Sequence, residues 1–268
     1  MAKKPIEPSG IDRIDALAGN AKVTLQDYLD AVSEYVRRST ELNAKQKKAG
    51  QIRLSNGLGK ALFVELTARL PNMKHAEYGE RVVSGALRTV NADVSEIHPL
   101  DGLRLAVELK PVNLAVGRAI WNRFGDIRTF AVNLHLRFPF AVVGGVLVIP
   151  TYELRKATKA VADEEPTTDE SEELERDVAE EEGDVTTVDD SSRKDTRGLI
   201  TRAVNRLVRA GGRERDSDAP HLLEAIAVVV YDPDTGQLDT ELPPKGCGLR
   251  WNEFVDDLVR AYESRFEG

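Results

Sequence analysis

Cysteine is almost missing from this chain of 268 residues: Cys247 stands alone. No internal disulfide can form and no thiolate cage can hold a metal, which excludes stapled secreted folds and zinc fingers. Long apolar runs are missing as well. The longest, residues 140–150, stops at about ten residues, short of the roughly 18–20 that cross a bilayer. The first ten residues carry lysines and prolines with no apolar stretch behind them, so no secretory signal is read and a cytoplasmic location is expected. Histidine is scarce: His75, His98, His135 and His221 lack metal-ligand spacing, and none is given a catalytic role. Gly57-Leu58-Gly59-Lys60 resembles a piece of a phosphate loop but lacks the earlier glycine and the Ser or Thr after the lysine, so no nucleotide site is read there.

What is present bounds the chain as one large or two small globular domains with a sizeable core. The net charge of −8 is unevenly spread. Residues 163–190 hold 15 acids and one base, Arg176, and the other 240 residues carry 36 bases against 30 acids, a net of +6. An acidic total is therefore no argument against a nucleic-acid partner. The acidic stretch lacks the apolar surface needed to offset its ordering entropy and is expected to be a disordered insertion within the fold, spanning about 161–195.

Periodicity divides the rest. Residues 1–22 read as a loose arm, and a helix starts after Thr24 with Leu25, Tyr28, Leu29, Val32 and Val36 on one stripe. Between Arg37 and Lys60 seven bases face one acid, a solvated face or a phosphate-binding one, with Lys47 and Lys48 as candidate DNA contacts. Further helices are expected at 59–70 and 76–90, the second on Val82, Val83, Ala86 and Leu87. At 94–98 and 103–110 the pattern alternates around the turn Pro99-Leu100-Asp101-Gly102, which predicts a hairpin. A helix over 112–136, with Gly125 as the point where it can break, a strand buried on both faces at 140–149 and a helix at 152–160 follow. The C-terminal part, 196–268, reads as helix, strand and helix completing the same domain, with Arg202, Arg206 and Arg209 on the polar side of its first helix as candidate DNA contacts.

The hairpin carries the chemistry. Along its second strand Leu103, Leu105, Val107 and Leu109 face one way and Arg104, Ala106, Glu108 and Lys110 the other. If His98 pairs with Leu103, Asp93 falls opposite Glu108, with Cβ atoms roughly 5 Å apart. Two carboxylates that close repel unless a cation lies between them, and hard oxygen ligands favour Mg2+. Lys110 reaches the same spot, where its charge can orient a water and offset charge developing on a phosphoryl group.

Asp93, the hairpin and Glu108-Leu109-Lys110 resemble the PD-(D/E)XK nuclease superfamily, the fold of most type II restriction endonucleases, over about residues 76–150. The resemblance implies an α/β restriction-endonuclease-like core, α-β-β-β-α-β, with a central mixed sheet flanked by helices. It also implies Mg2+-dependent cleavage of double-stranded DNA and a further acid from the preceding helix. Glu80 matches that acid, with Glu77 and Glu65 as weaker candidates. No proline precedes Asp93; the literal motif would choose Asp101 after Pro99-Leu100, but Asp-Gly is ordinary turn chemistry and Asp93 is favoured.

The expected domain organisation is a basic helical region at 1–75, a nuclease core at 76–160, the acidic insertion, and the C-terminal completion. Asp93, Glu108 and Glu80 are the expected metal and catalytic acids beside Lys110. Arg118 and Asn113, early in the helix after the motif, are candidate phosphate contacts, while Trp121 and Phe124 on that helix read as core. Two-fold DNA suggests a homodimer. The rivals are a non-catalytic DNA-binding or assembly module of the same fold, and an unrelated interaction protein with Glu108 and Lys110 as an exposed ion pair.

Overall fold

The computed structural model describes residues 9–113, 116–154 and 193–267. Its N-terminal part is helical: α1 (Asp12–Gly19), α2 (Leu25–Arg37) and α3 (Ala44–Arg69). The start of α2 is the expected one, closed by a reciprocal pair in which the Thr24 hydroxyl accepts from the Asp27 N–H and the Asp27 carboxylate accepts from the Thr24 N–H. Asn43 and Gln46 close α3 in the same way. That helix runs unbroken for 26 residues and absorbs both the basic connector and the helix expected at 59–70. The arm expected at 1–22 is corrected in part: Ile14 and Leu17, on the short helix α1, are buried. Two apolar residues three apart bury well against a neighbour but give too short a period to read.

The second correction is larger. Residues 76–90 are not a helix; Ala76–Ser84 is strand β1, at one edge of the sheet. Its valines sit on a stripe that also suits a helix, yet Val82 is 66% exposed and Leu87 72% exposed. Pairing with the next strand overrides the local pattern. The turn after β1 is held from outside, where the Asn133 side-chain oxygen accepts from the N–H groups of Leu87 and Arg88.

Strands β2 (Thr89–His98) and β3 (Gly102–Pro111) form the expected hairpin, α4 (Val116–His135) follows without a break at Gly125, and β4 (Val142–Pro150) is buried along its whole length. Within 152–160 the described part is strand β5 (Tyr152–Leu154), which pairs with β6 (Arg193–Asp195), where a helix was expected. The acidic stretch 163–190 lies outside the described residues. Then come α5 (Arg197–Leu207), β7 (Ala225–Tyr231) and α6 (Trp251–Phe266).

Five strands make one mixed sheet in the order β1-β2-β3-β4-β7, antiparallel through β3 and parallel from β3 to β7. Helices α1, α2, α3 and α6 cover one face through a core that includes Tyr28, Leu58, Leu62, Val107 and Phe254. Helices α4 and α5 cover the other through Ile120, Ile127, Phe130, Ile200 and Leu207. The architecture is thus α/β with a central mixed sheet flanked by helices, and from α3 to β4 the elements run helix, three strands, helix, strand. Among the described residues no helix is long and apolar enough to cross a membrane.

Candidate active site

The hairpin register decides which side chains meet. Val94 pairs with Val107, Ser95 with Ala106 and Glu96 with Leu105, the alignment that sets Asp93 across from Glu108. Nearer the turn the expected register is corrected: a bulge between Glu96 and Ile97 shifts Ile97 onto Leu103 and His98 onto Gly102. The slip turns Leu103 to the core under α4, while Leu105, Val107 and Leu109 face the core under α3. An extra residue near a hairpin end reverses the facing of whatever lies beyond it and leaves the inner pairs intact.

At Asp93 the ladder gives way to a side chain. The Asp93 Oδ2 accepts the Leu109 N–H at 2.7 Å, so a carboxylate oxygen takes up a strand donor. Alternation along β2 breaks at the same place, with Ala92 in the core under α4 and Val94 in the core under α3. On the other side of β2, β1 pairs Tyr78 with Val94 and Arg81 with Ala92, so Gly79 and Glu80 together oppose Asp93. This is a β-bulge, and Gly79 has φ +91°, a conformation only glycine adopts without strain. Helix α3 passes close above, where a Cβ added at Gly59 would stand 3.5 Å from the Asp93 carbonyl oxygen.

These irregularities open a cavity of about 550 Å3 into which Glu80, Asp93, Glu108 and Lys110 all project. Glu80 reaches it from a bulged strand rather than from the helix expected to carry it. Glu108 is buried; its Oε1 lies 2.6 Å from the Lys110 Nζ, and its Oε2 is buried with no hydrogen-bond partner among the described residues. Burial pushes the Asp93 carboxyl up to about 6, against the Leu109 N–H and the Lys110 charge, while Glu80 adds to the rise. Burial also raises Glu108, opposed chiefly by Lys110.

Asp101, the literal-motif alternative, sits exposed in the hairpin turn, where Arg104 holds its carboxyl below the usual range. It does not line the cavity. Glu65 accepts from the Trp251 indole N–H at 2.7 Å, and Glu77 pairs with Arg81 at 3.5 Å. The sequence reading missed Gln51 and Ser55 of α3, Arg88 before β2, and Arg123 of α4, all of which line the cavity. Gln51 and Ser55 continue the helical spacing of Lys47, a signal visible only once α3 is known to be one helix. Asn113 does line the cavity, buried in the link just after β3 rather than early in α4 as expected, whereas the Arg118 side chain lies outside the described residues. Lys47 and Lys48 stand in the first turns of α3, and Arg202, Arg206 and Arg209 are exposed on and just after α5, away from the cavity.

The donor set suits Mg2+: hard carboxylate oxygens, one of them a buried acceptor without a partner among the described residues, in a cavity roomy enough for the waters that ion keeps. Among the described residues no group of three or more His, Cys, Asp or Glu side chains is gathered closely enough to hold a metal ion. Two carboxylates are enough for Mg2+, which commonly takes one or two from the protein. Comparison with family models, with curated proteins and with solved structures finds no match.

Proposed function

We propose that the protein is a Mg2+-dependent endonuclease of PD-(D/E)XK, type II restriction type, hydrolysing phosphodiester bonds of double-stranded DNA. The observation that carries this reading is the convergence of Glu80, Asp93, Glu108 and Lys110 on one cavity where β2 parts from its neighbours. The order of elements from α3 to β4 supports it.

Asp93 and Glu108 would hold the ion, with Glu80 beside them. Bound Mg2+ polarises a phosphoryl oxygen and lowers the pKa of its water. Lys110 orients the attacking water and offsets charge that develops on the phosphoryl group. Arg88 and Arg123, at the cavity wall, balance the phosphates of the strand being cut, and Lys47 and Lys48 on α3 meet backbone further along. A homodimer would present two such sites to the two strands.

The test is incubation of the purified protein with plasmid and phage DNA, with Mg2+ and with chelator. Cleavage only in Mg2+ is expected, as discrete bands from a sequence-specific enzyme or a smear from a nonspecific one. The 2.6 Å pair between Lys110 and Glu108 favours one second reading, a non-catalytic DNA-binding or assembly module of the same fold in which that pair stays closed. DNA binding without cleavage at any Mg2+ concentration selects it. No DNA affinity at low salt removes both.

A further inference from the structure

The flank formed by α4 and α5 is a second charged surface, separate from the candidate active site. Ala119 and Arg123 turn toward the cavity, whereas Trp121, Phe124 and Arg128 lie roughly 140–200° around the α4 axis from Ala119. That other flank borders a shallow hollow of about 350 Å3 lined by Phe124, Arg128, Arg206 and Arg209. The Arg206 guanidinium stands 4.4 Å from the centre of the Trp121 ring, and that of Arg128 stands 5.7 Å from the centre of the Phe124 ring. Both rings are half-buried, so the residues read as core supply a wall on which arginines rest.

No carboxylate pairs with Arg128, Arg202, Arg206 or Arg209 among the described residues, although most other arginines of the fold are paired. Unneutralised guanidinium groups resting on aromatic faces keep their donors turned outward and lose little entropy on meeting an anion. Their spread identifies the anion. Arg202, Arg206 and Arg209 follow the spacing i, i+4, i+7 along α5 and the turn after it, a stripe roughly 10 Å long. A small phosphate compound needs donors converging on one point. A linear stripe fits a polymer with a charge every few ångströms, as a nucleic-acid strand has at about 3.4 Å of rise.

We infer that the α4–α5 flank binds the phosphate backbone of DNA lying beyond the cut site, through Arg202 and Arg209 together with Arg206 braced on Trp121 and Arg128 braced on Phe124. The identity of this polyanion rests on the nuclease reading above. The contact is with phosphates and carries no base information, so it lends affinity to all sequences alike.

The experiment measures binding of the full chain to a fluorescent duplex of about 30 base pairs without divalent metal, by anisotropy across a KCl series. The triple variant Arg128→Gln, Arg206→Gln, Arg209→Gln should bind about 10- to 100-fold more weakly at moderate salt. The slope of log affinity against log salt should fall by about 2–3, near 0.9 for each phosphate that is no longer neutralised. Arg206→Lys alone keeps the charge and should keep most of the slope. Thermal melting of each variant checks the fold, and these exposed side chains leave it intact. A triple variant with wild-type affinity and slope overturns the inference. Cleavage of plasmid in Mg2+ is scored separately. A weakened slope in a protein that never cuts leaves the flank assigned and removes the nuclease reading, and an unchanged slope in a protein that cuts does the reverse.

Discussion

At the scale of single residues, the site places charge where solvent is thin, and burial raises both of its inner carboxyls, Asp93 and Glu108. Burial raises Asp93 from 3.8 to about 6. A carboxyl whose folded pKa lies above its unfolded one binds protons more readily when folded, so stability falls as pH rises through that window. Asp93→Asn keeps an oxygen to accept the Leu109 N–H and removes the buried charge. It should raise the melting temperature at pH 8, by an effect on the order of 1–3 kcal/mol, and the gain should vanish near pH 4. A variant no more stable than wild type at pH 8 would mean the charge is well solvated. The same substitution should abolish cleavage, as should Glu108→Gln and Lys110→Ala, each by on the order of 100-fold or more in turnover with the fold retained. Asp101→Ala should cut normally, since Asp101 is exposed in the turn with Arg104 and His98. If Asp101→Ala is inactive and Asp93→Ala active, the metal-binding acid has been placed at the wrong end of the hairpin.

At the scale of elements, the bulge at Gly79 and Glu80 is the device that brings an edge-strand carboxylate opposite Asp93. Space does not demand glycine at 79, because an added Cβ would meet nothing within 4 Å; the backbone angle of +91° does. Gly79→Val should therefore cost about 1–2 kcal/mol of strain, or else straighten the strand and withdraw Glu80. The expected result is a modestly lowered melting temperature together with a raised Mg2+ requirement for cleavage. Gly79→Asn, which tolerates the left-handed region better, should fall between Val and wild type. A Gly79→Val protein with an unchanged Mg2+ requirement would detach Glu80 from the ion.

At the scale of the whole molecule, one buried carboxylate ties the two neighbouring strands at one edge of the sheet, β4 and β7, to both layers. Glu224, with no exposed side-chain surface, accepts from the Val143 N–H at 2.7 Å, from His135 Nε2 at 3.1 Å and from Arg213 at 2.8 Å, and forms an ion pair with Arg265 at 2.8 Å. These partners belong to β4, α4, the loop before β7, and α6. Burial alone would raise this carboxyl, but His135, Arg265 and the Val143 N–H outweigh it and hold the group below its ordinary value. Its stabilisation is therefore present above the unfolded pKa and lost as pH falls through the folded one, the opposite sign to Asp93. Glu224→Ala strands two guanidinium groups in the interior and should cost about 3–5 kcal/mol. Denaturant titration at neutral pH measures it, and a loss under about 1 kcal/mol would show that water replaces the carboxylate.

Much of this was legible in the chain. Thr24 and the apolar stripe after it announce α2, the alternation at 103–110 and the Pro-first turn announce the hairpin, and the β-branched apolar run at 140–149 announces a strand covered on both sides. Local chemistry sets these, because caps, turns and period-2 patterns act between near neighbours along the chain. The nearness of Asp93 to Glu108 followed from the same arithmetic; the ladder runs as far as Val94 with Val107 in spite of the slip at the turn, and both carboxylates line one cavity. Residues 76–84 were not legible, since nine residues that suit two periods are assigned only when β2 offers them a ladder. The one-helix course of α3, the bulge that aims Glu80, and the arrival of Gln51, Ser55, Arg88 and Arg123 at one cavity are long-range facts of the same kind. Side chains far apart in sequence share a cavity because of how the helices pack on the sheet, and that packing energy is a property of the assembled layers rather than of any segment within them.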